Sequence, residues 1–311
     1  MWTSLTGASR PLVVTALIML AALPVFFVGL LLDPTVISGA PAWLKPAKFA
    51  TSIAIYCLTL AWIFTWLPDW VRLRRNVGWA TAVALIVEMV IIGLQAWRGT
   101  TSHFNIATPF DGTLFQVMGA VIVAQTITTI AVAVALWRQP FADRALGWAL
   151  RLGMTITIIG AFSGGLMARP TDEQLTALAA GGPATIIGAH TVGAPDGGPG
   201  LPGTGWSTTH GDLRIAHFTG LHALQVLPLI ALGLRRRTRS EIARQRLTIT
   251  AAASYTGLFL LLLSQALRGQ SVLAPDGITL ALGASWVVLT AIAARWSTVE
   301  RVAMRQHVVT V

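Results

Sequence analysis

An internal repeat constrains the fold of this chain more than any other feature of its sequence. The hexapeptide LKPAKF at 44–49 returns as LRIAHF at 213–218, a shift of 169 residues. The pentapeptide QAWRG at 95–99 returns as QALRG at 265–269, at a shift of 170. Motifs that recur in nearly constant register indicate a duplicated unit. The repeat therefore predicts two halves with equivalent elements in the same order.

A third repeated motif shows where the two halves differ in length. The segment GLLLDPT at 29–35 returns as GLMARPT at 165–171, at a shift of only 136 residues. The difference of 33 residues between this shift and that of LKPAKF predicts one long insertion between 171 and 213. We divide the chain into a first half, 1–140, and a second half, 141–311.

Composition places the duplicated unit in a membrane. Hydrophobic residues make up 54% of the chain, charged residues 11%, and the mean hydropathy is +0.69. A helix needs about 20 apolar residues to cross a bilayer. Eight segments qualify: 12–32, 49–67, 78–97, 113–137, 146–167, 213–234, 247–267 and 278–294. The predicted fold class is all-α, a polytopic membrane protein with eight transmembrane helices in two tandem four-helix repeats.

The basic residues predict how these helices are oriented. Short cytoplasmic loops retain Lys and Arg, and every second connection carries them: Arg10, 72–75, Arg138, Arg144, Arg151, 235–246, Arg295, Arg301 and Arg305. This predicts both termini in the cytoplasm, and we expect a bacterial plasma membrane. The net charge of +10 then reflects topology and contact with the lipid bilayer, and it does not indicate nucleic-acid binding.

Most of the unusual polar residues fall on the opposite, extracytoplasmic side. The connections there are predicted at 33–48, 98–112, 168–212 and 268–277. The third is rich in Gly and Pro and carries His190, Asp196 and Trp206, and residues 171–175 suit the start of a short helix. We expect this loop, about 169–212, to be a lid over a cavity, the alternative being a disordered linker. The single cysteine, Cys57, excludes a disulfide within the chain and a thiolate metal cluster.

The densest group of histidines leads from this loop into the sixth span, as HGDLRIAHFTGLH at 210–222. On a helix, His210 and His217 would stand roughly 10 Å apart along the axis, and His217 and His222 would differ by about 140° in direction. Histidines at this spacing do not form a metal site by themselves, because a zinc site on one helix uses ligands at positions i and i+4. A site that used His210 would need other ligands, and the candidates are His103, His190 and Asp111.

Two ionisable residues, His222 and Glu88, lie well away from the ends of their predicted spans, where such groups are costly and often functional. His222 sits about two turns into the sixth span. Three roles are open for it: a hydrogen-bonded packing residue, a porphyrin ligand or a proton carrier. Glu88 is near the middle of the third span with no charged neighbour in sequence. Its carboxyl group should be neutral or paired with a cation from another helix. Its counterpart in the second half is Leu258, so only the first half has this group.

Five cations lie at the extracytoplasmic boundary, against the charge rule that orients the chain: Lys45, Lys48, Arg98, Arg214 and Arg268. Asp33, Asp111, Asp212 and Asp276 lie nearby, two of them in the related turns FDG and PDG at 110–112 and 275–277. These charges either pair with one another and hold each loop to its own half, or line a basic cavity for carboxylates or phosphates.

The layout resembles the heme A synthase family. The resemblance lies in eight helices arranged as two four-helix halves, in long outer loops after the first helix of each half, and in the QA-x-x-G end of the third helix. It implies a porphyrin held by histidines of the second and fourth helices of a half. His217 stands at the second-helix position of the second half, Lys48 at the matching position of the first, and Met118 lies on a fourth helix.

The leading hypothesis is a heme- or porphyrin-binding integral membrane protein, with an oxidoreductase as one form. His217 or His222 would be the axial ligand, and His103 or Met118 would lie opposite. The cations assigned to the cofactor are Arg98, Arg214, Arg268, Lys45 and Lys48, and the residues assigned to proton chemistry are Glu88, His103, Asp111 and Asp212.

Two other classes of function fit the same residues. The first is a carrier or receptor for a small anionic or lipid-like molecule, without a redox centre. The second is a metal-dependent membrane enzyme that uses His103, His190, His210, Asp212 and His217, with His190 and His210 as metal ligands. A Soret band separates the first hypothesis from both of these, and a stoichiometric metal identifies the last.

Overall fold

A computed structural model describes residues 2–182, 184–238 and 240–298. Eight of its helices are long and apolar enough to cross a membrane, as the sequence predicts. They are α2 (Arg10–Leu32), α3 (Leu44–Phe64), α4 (Val71–Trp97), α5 (Pro109–Arg138), α6 (Arg144–Met167), α8 (Leu213–Arg237), α9 (Glu241–Leu267) and α10 (Gly277–Thr298). The protein is therefore an all-α integral membrane protein.

Short elements lie outside the eight spans. Helix α1 (Trp2–Ala8) precedes the first span, and α7 (Asp172–Ala179) lies in the long loop, where residues 171–175 predict a helix start. Thr171 and Gln174 form a reciprocal capping box at its first turn. Strands β1 (Val36–Ile37) and β2 (Ala40–Pro41) pair with each other, as do β3 (Thr191–Val192) and β4 (Gly211–Asp212).

One predicted boundary needs a correction that matters for the site. Hydropathy predicts the second span at 49–67, whereas α3 is Leu44–Phe64. Hydropathy excludes Lys45 and Lys48 because they are charged, yet both lie within the first five residues of the helix. Their long side chains place the charge away from the helix axis, so an apolar count misses a turn that the backbone completes.

The helices of the two halves pack in the same order. In the first half α2 contacts α3 and α4, α3 contacts α4, and α4 contacts α5. In the second half α6 contacts α8 and α9, α8 contacts α9, and α9 contacts α10. Each pair in one half thus has its equivalent in the other, in the register that the repeated motifs predict. Helices α5 and α6 join the halves.

The repeated motifs also form the same local structures. Helices α3 and α8 begin at Leu44 and Leu213, the first residues of LKPAKF and LRIAHF. Helices α4 and α9 both end before a glycine in the left-handed region, Gly99 with φ 69° and Gly269 with φ 73°. Each glycine follows an arginine that ends its helix, which is a common helix stop.

We call the end of the bundle that carries the connections after α2, α4, α6 and α9 the loop end, and the opposite end the arginine end. The cations Arg72, Arg138, Arg144, Arg235 and Arg295 lie at the arginine end. Arg301 and Arg305, which the sequence assigns to the same side, lie outside the described residues.

Candidate functional site

An extended segment of the long loop brings three histidines together at the loop end. The backbone N–H of Ile106 donates to the carbonyl of Thr185, and that of Ile187 donates to the carbonyl of Phe104, at 2.9 and 2.8 Å. Further along, Thr191 pairs with Asp212, immediately before α8. The segment thus runs from the α4–α5 connection to the start of α8. It places His190 between His103 on one side and His217 on the other.

The three imidazoles lie close enough to interact electrostatically. His103 interacts with both His190 and His217, and His190 interacts with His217. All three side chains are half-buried. Burial lowers the pKa of His103 well below 6.5 and, despite the hydrogen bond to Asp196, lowers the pKa of His190 as well. Both rings are therefore neutral at pH 7.

His217 has a defined tautomer. Its Nδ1 lies 2.8 Å from the backbone carbonyl oxygen of Gly160 on α6. A carbonyl oxygen only accepts, so Nδ1 carries the hydrogen and Nε2 keeps its lone pair. The ring packs over Gly164, where an added Cβ would lie 3.0 Å from Cε1 of the ring. His217 is thus positioned by α6, and no hydrogen bond from the described residues occupies its Nε2, which can accept a hydrogen bond or bind a metal.

His190 has the same tautomer for a different reason. Its Nδ1 lies 2.6 Å from Oδ2 of Asp196, so Nδ1 carries the hydrogen and Nε2 keeps its lone pair. Burial alone would raise the pKa of Asp196, but hydrogen bonds from the His190 ring and from the backbone N–H groups of His190 and Thr191 lower it below its usual range. The carboxylate therefore orients the ring as in metal-bound and catalytic histidines.

His103 has the opposite tautomer. Its Nδ1 lies 3.0 Å from Nζ of Lys45 and 3.1 Å from Oγ of Ser102. An ammonium group only donates, so Nδ1 accepts and the hydrogen is on Nε2. His103 thus presents a donor to the cluster, whereas His190 and His217 present acceptors.

Aromatic rings surround the three histidines. Phe104 is buried, and its ring centroid lies 5.0 Å from that of His190. Its φ of 64° is in the left-handed region, which a bulky side chain rarely adopts and which often marks functional sites. Phe49 lies 5.9 Å from His103, and Phe218 lies 5.5 Å from His217 and stacks on Trp206. The cluster is therefore polar at its centre and aromatic at its walls.

All three arginines that the sequence assigns to a ligand are paired with aspartates. Arg98 forms an ion pair with Asp111, and Arg214 pairs with Asp212 at 2.6 Å. Arg268 lies 3.6 Å from Asp276, whose pKa is lowered to about 2, mainly by a hydrogen bond from the backbone N–H of Thr279. Asp212 also caps α8 and is buried. These pairs tie each loop to its own half.

The chain has only two lysines, and both point at this site. Nζ of Lys45 bonds His103, and Nζ of Lys48 donates to the backbone carbonyl of Thr204 at 2.7 Å. Beside it, Arg214 donates to the carbonyl of Gly205 at 2.7 Å. Among the described residues neither lysine forms an ion pair within 4.0 Å. Lys48 and Arg214 hold residues 204–205 of the long loop over the cluster.

Glu88 lies deeper, on α4. It is 2% exposed, and neither carboxyl oxygen has a hydrogen-bond partner among the described residues. Lys45 interacts with it electrostatically. Glu88 is thus linked by charge to the histidine cluster through Lys45.

Three of the sequence-predicted residues do not join the cluster. His222 is exposed on α8, since it faces away from His217 as its rotation along the helix predicts. Met118 is buried in the apolar core. The backbone N–H of His210 bonds Ser207, and its ring lies near Thr209. Within the described ranges, no three His, Cys, Asp or Glu side chains are arranged to hold a metal ion.

Sequence reasoning missed Phe104 and Gly160. Nothing in the sequence marks Phe104, because its strained backbone depends on contacts with the long loop. Gly160 and Gly164 do leave a signal, since small residues four apart allow close packing of membrane helices. Comparison with known proteins adds no relative: no family model, curated protein or solved structure matches the chain.

Proposed function

We propose that this protein binds heme or another porphyrin and lies in a bacterial plasma membrane. An oxidoreductase is one class of enzyme that fits this proposal. The site is at the loop end, which faces away from the cytoplasm, and both termini are cytoplasmic. The observation that supports this proposal most strongly is the 2.8 Å hydrogen bond that Nδ1–H of His217 donates to the backbone carbonyl of Gly160. Heme-ligating histidines need this arrangement, with one nitrogen anchored and the other unprotonated.

Tautomers favour His190 as the second ligand. His190 and His217 both keep a lone pair on Nε2, whereas the hydrogen on Nε2 of His103 would have to leave before that atom could bind iron. His190 and His217 would hold the iron of a porphyrin, so the proposal needs no three-residue metal cluster. When bound, the iron would supply reversible one-electron chemistry.

Of the cations predicted to contact porphyrin propionates, some are suited to that contact and others are not. The three arginines predicted to face propionates are held by Asp111, Asp212 and Asp276. Lys48 is the better candidate. Within the described part of the chain its ammonium group bonds only the neutral carbonyl of Thr204, and a propionate would offer a charged acceptor. The residues present thus fit two iron ligands and one propionate contact.

The test is an absorption spectrum, reduced minus oxidised, of the detergent-purified protein expressed with heme supplied. We expect a Soret band in the wild type that His217→Ala and His190→Ala abolish or shift. His222→Ala is the matched control on the same helix, because His222 is exposed, and it should keep the band. His103→Ala should keep it as well.

Two outcomes would contradict the proposal. One is a folded wild-type protein that stays colourless after heme is supplied. The other is a Soret band that survives both His217→Ala and His190→Ala unchanged.

A second candidate function is a carrier or receptor for a small anion. The observation that favours it is that neither lysine has an ion-pair partner among the described residues, although both lie beside the cluster. An anion would then bind Lys45 and Lys48 directly. In a colourless protein, acetate or phosphate should raise the melting temperature, and Lys48→Met should remove that effect. A melting temperature that ignores both anions would count against this function.

A further inference from the structure

Glu88 is an exception to the rule that buried polar groups have partners. A carboxyl group that is 98% covered normally bonds other groups, because an unpaired one costs several kcal/mol. Here both oxygens lack a hydrogen-bond partner within the described part of the chain, and the residue is 2% exposed. A buried carboxyl group avoids most of this cost when it binds a proton.

One cation on the helices around Glu88 interacts with its carboxyl group. Helix α4 packs against α2, α3 and α5. The charged and titratable residues of these three helices are Arg10 on α2, Lys45, Lys48, Tyr56 and Cys57 on α3, and Asp111 and Arg138 on α5. Arg10 and Arg138 lie at the arginine end, and Asp111 is held by Arg98. Lys45 is the group that interacts with Glu88.

Lys45 connects Glu88 to the surface. Its Nζ is 3.0 Å from Nδ1 of His103 and lies 5.9 Å from the centre of the Phe49 ring. His103 is half-buried in the α4–α5 connection. Glu88, Lys45 and His103 therefore form a series of ionisable groups that runs from inside the bundle to its loop end.

From this series we propose that Glu88 is a proton-binding site inside the membrane, which exchanges its proton with the loop end through Lys45 and His103. On release, the ammonium group of Lys45 first gives a proton to Nδ1 of His103, and the imidazolium so formed loses its Nε2 proton to water or to a ligand, which restores a neutral ring. The neutral amine left on Lys45 then takes the proton of the Glu88 carboxyl group, whose O–H bond breaks. This transfer passes through a bridging water, because no hydrogen bond or ion pair within 4.0 Å joins the two side chains. Uptake follows the same steps in reverse.

The repeat shows that this series belongs to the first half only. The equivalents of Glu88 and Lys45 in the second half are Leu258 and Arg214. Arg214 is paired with Asp212, and a guanidinium group does not release a proton at physiological pH. If lysine and glutamate at these positions only stabilised the fold, both halves would need them.

The first test measures proximity. A membrane-soluble carbodiimide activates a protonated carboxyl group, and a neighbouring amine then forms an amide with loss of the urea. We expect an amide between Glu88 and Lys45, detected by mass spectrometry of the digested protein as two peptides joined with loss of one water. Lys48→Met is the matched control and should still form the cross-link, whereas Lys45→Met and Glu88→Gln should not.

The second test measures protonation directly. Infrared difference spectra between acidic and alkaline pH should show a protonated-carboxyl band that Glu88→Gln removes and that Glu173→Gln, an exposed glutamate, leaves unchanged. Lys45→Met removes a nearby positive charge, so the band should persist to a pH higher by about one unit or more. After a rapid pH change, His103→Phe should slow the appearance of the band by about a hundredfold.

These tests can fail independently of the heme proposal, because neither the cross-link nor the infrared band depends on bound heme. The inference is overturned if the wild type forms no Glu88–Lys45 amide, or if the carboxyl band survives Glu88→Gln. A His103→Phe variant that exchanges at the wild-type rate would also overturn the route. If the Lys45→Met variant does not fold, the cross-link in the wild-type protein still shows whether Glu88 and Lys45 lie close together.

Discussion

At the scale of single residues, the histidine cluster depends on neutral imidazoles. Burial, more than any neighbouring charge, lowers the pKa of His103, and Lys45, His190 and His217 lower it further. Burial also disfavours a charge on His190, although Asp196 partly offsets it. This arrangement leaves lone pairs and N–H groups for a ligand, and it makes the folded protein sensitive to acid.

We predict that stability falls as the pH is lowered below about 6.5. The pKa values of His103 and His190 in the folded protein are below the usual histidine value of 6.5, so the unfolded chain binds protons first. The contribution of each neutral histidine is complete above pH 6.5 and is lost at up to about 1.4 kcal/mol per pH unit below it. The measurement is the melting temperature in detergent between pH 7 and about pH 5.

Two variants test the origin of this acid sensitivity. His103→Gln should reduce the slope of melting temperature against pH, whereas His222→Gln, at an exposed position, should leave it unchanged. Asp196 acts in a separate window, because its pKa lies below 3.8 and its contribution is lost only under stronger acid. A melting temperature that does not change between pH 7 and 5 would refute the prediction.

At the scale of elements, the contact between α6 and α8 positions His217. A Cβ added at Gly160 would lie 2.6 Å from the backbone carbon of Gly220. Backbone cannot yield as a flexible side chain does, so the two helices approach this closely only because both positions are glycine. The same Gly160 supplies the carbonyl that anchors the His217 ring.

We predict that Gly160→Ala destabilises the protein by about 1–3 kcal/mol, the usual cost of overpacking. Gly165→Ala is the matched control on the same helix, since a Cβ there meets nothing within 4 Å, and it should leave stability unchanged or raise it by up to about 1 kcal/mol, because alanine favours a helix more than glycine does. Thermal unfolding in detergent measures both. Equal effects of the two substitutions would show that close packing at Gly160 does not matter.

At the scale of the whole molecule, two similar halves carry dissimilar sites. Ion pairs between arginine and aspartate recur at equivalent helix ends, as Arg98–Asp111 and Arg268–Asp276. Lys45 and Glu88, by contrast, are replaced by Arg214 and Leu258 in the second half. The shared parts stabilise the frame, and the unshared parts form the candidate site where the long loop crosses between the halves.

We predict that the loop end faces away from the cytoplasm. The only cysteine, Cys57, is buried, so new cysteines can be labelled without a background. In intact cells, Gly198→Cys in the long loop should react with a membrane-impermeant maleimide. Asn76→Cys, near the arginine end of α4, should react only after the cells are permeabilised. The opposite pattern would invert the topology.

Much of the fold follows from local rules. Hydropathy predicts eight spans because the bilayer requires about 20 apolar residues per helix, and all eight are confirmed. Spacing along a helix also shows that His217 and His222 face different ways. Which of the two faces the interior depends on the packing of α8 against α6, and no local rule contains that information.

The sequence by itself determined the class, the number of helices and the repeat, because each is visible in composition or in short local motifs. It did not determine every helix end, since α3 begins at Leu44 and not at residue 49. Only the tertiary structure decided that His103, His190 and His217 meet while His222 does not, and that the arginines are already paired. Their contacts join residues far apart in sequence, and the long loop that joins them has no counterpart in the first half.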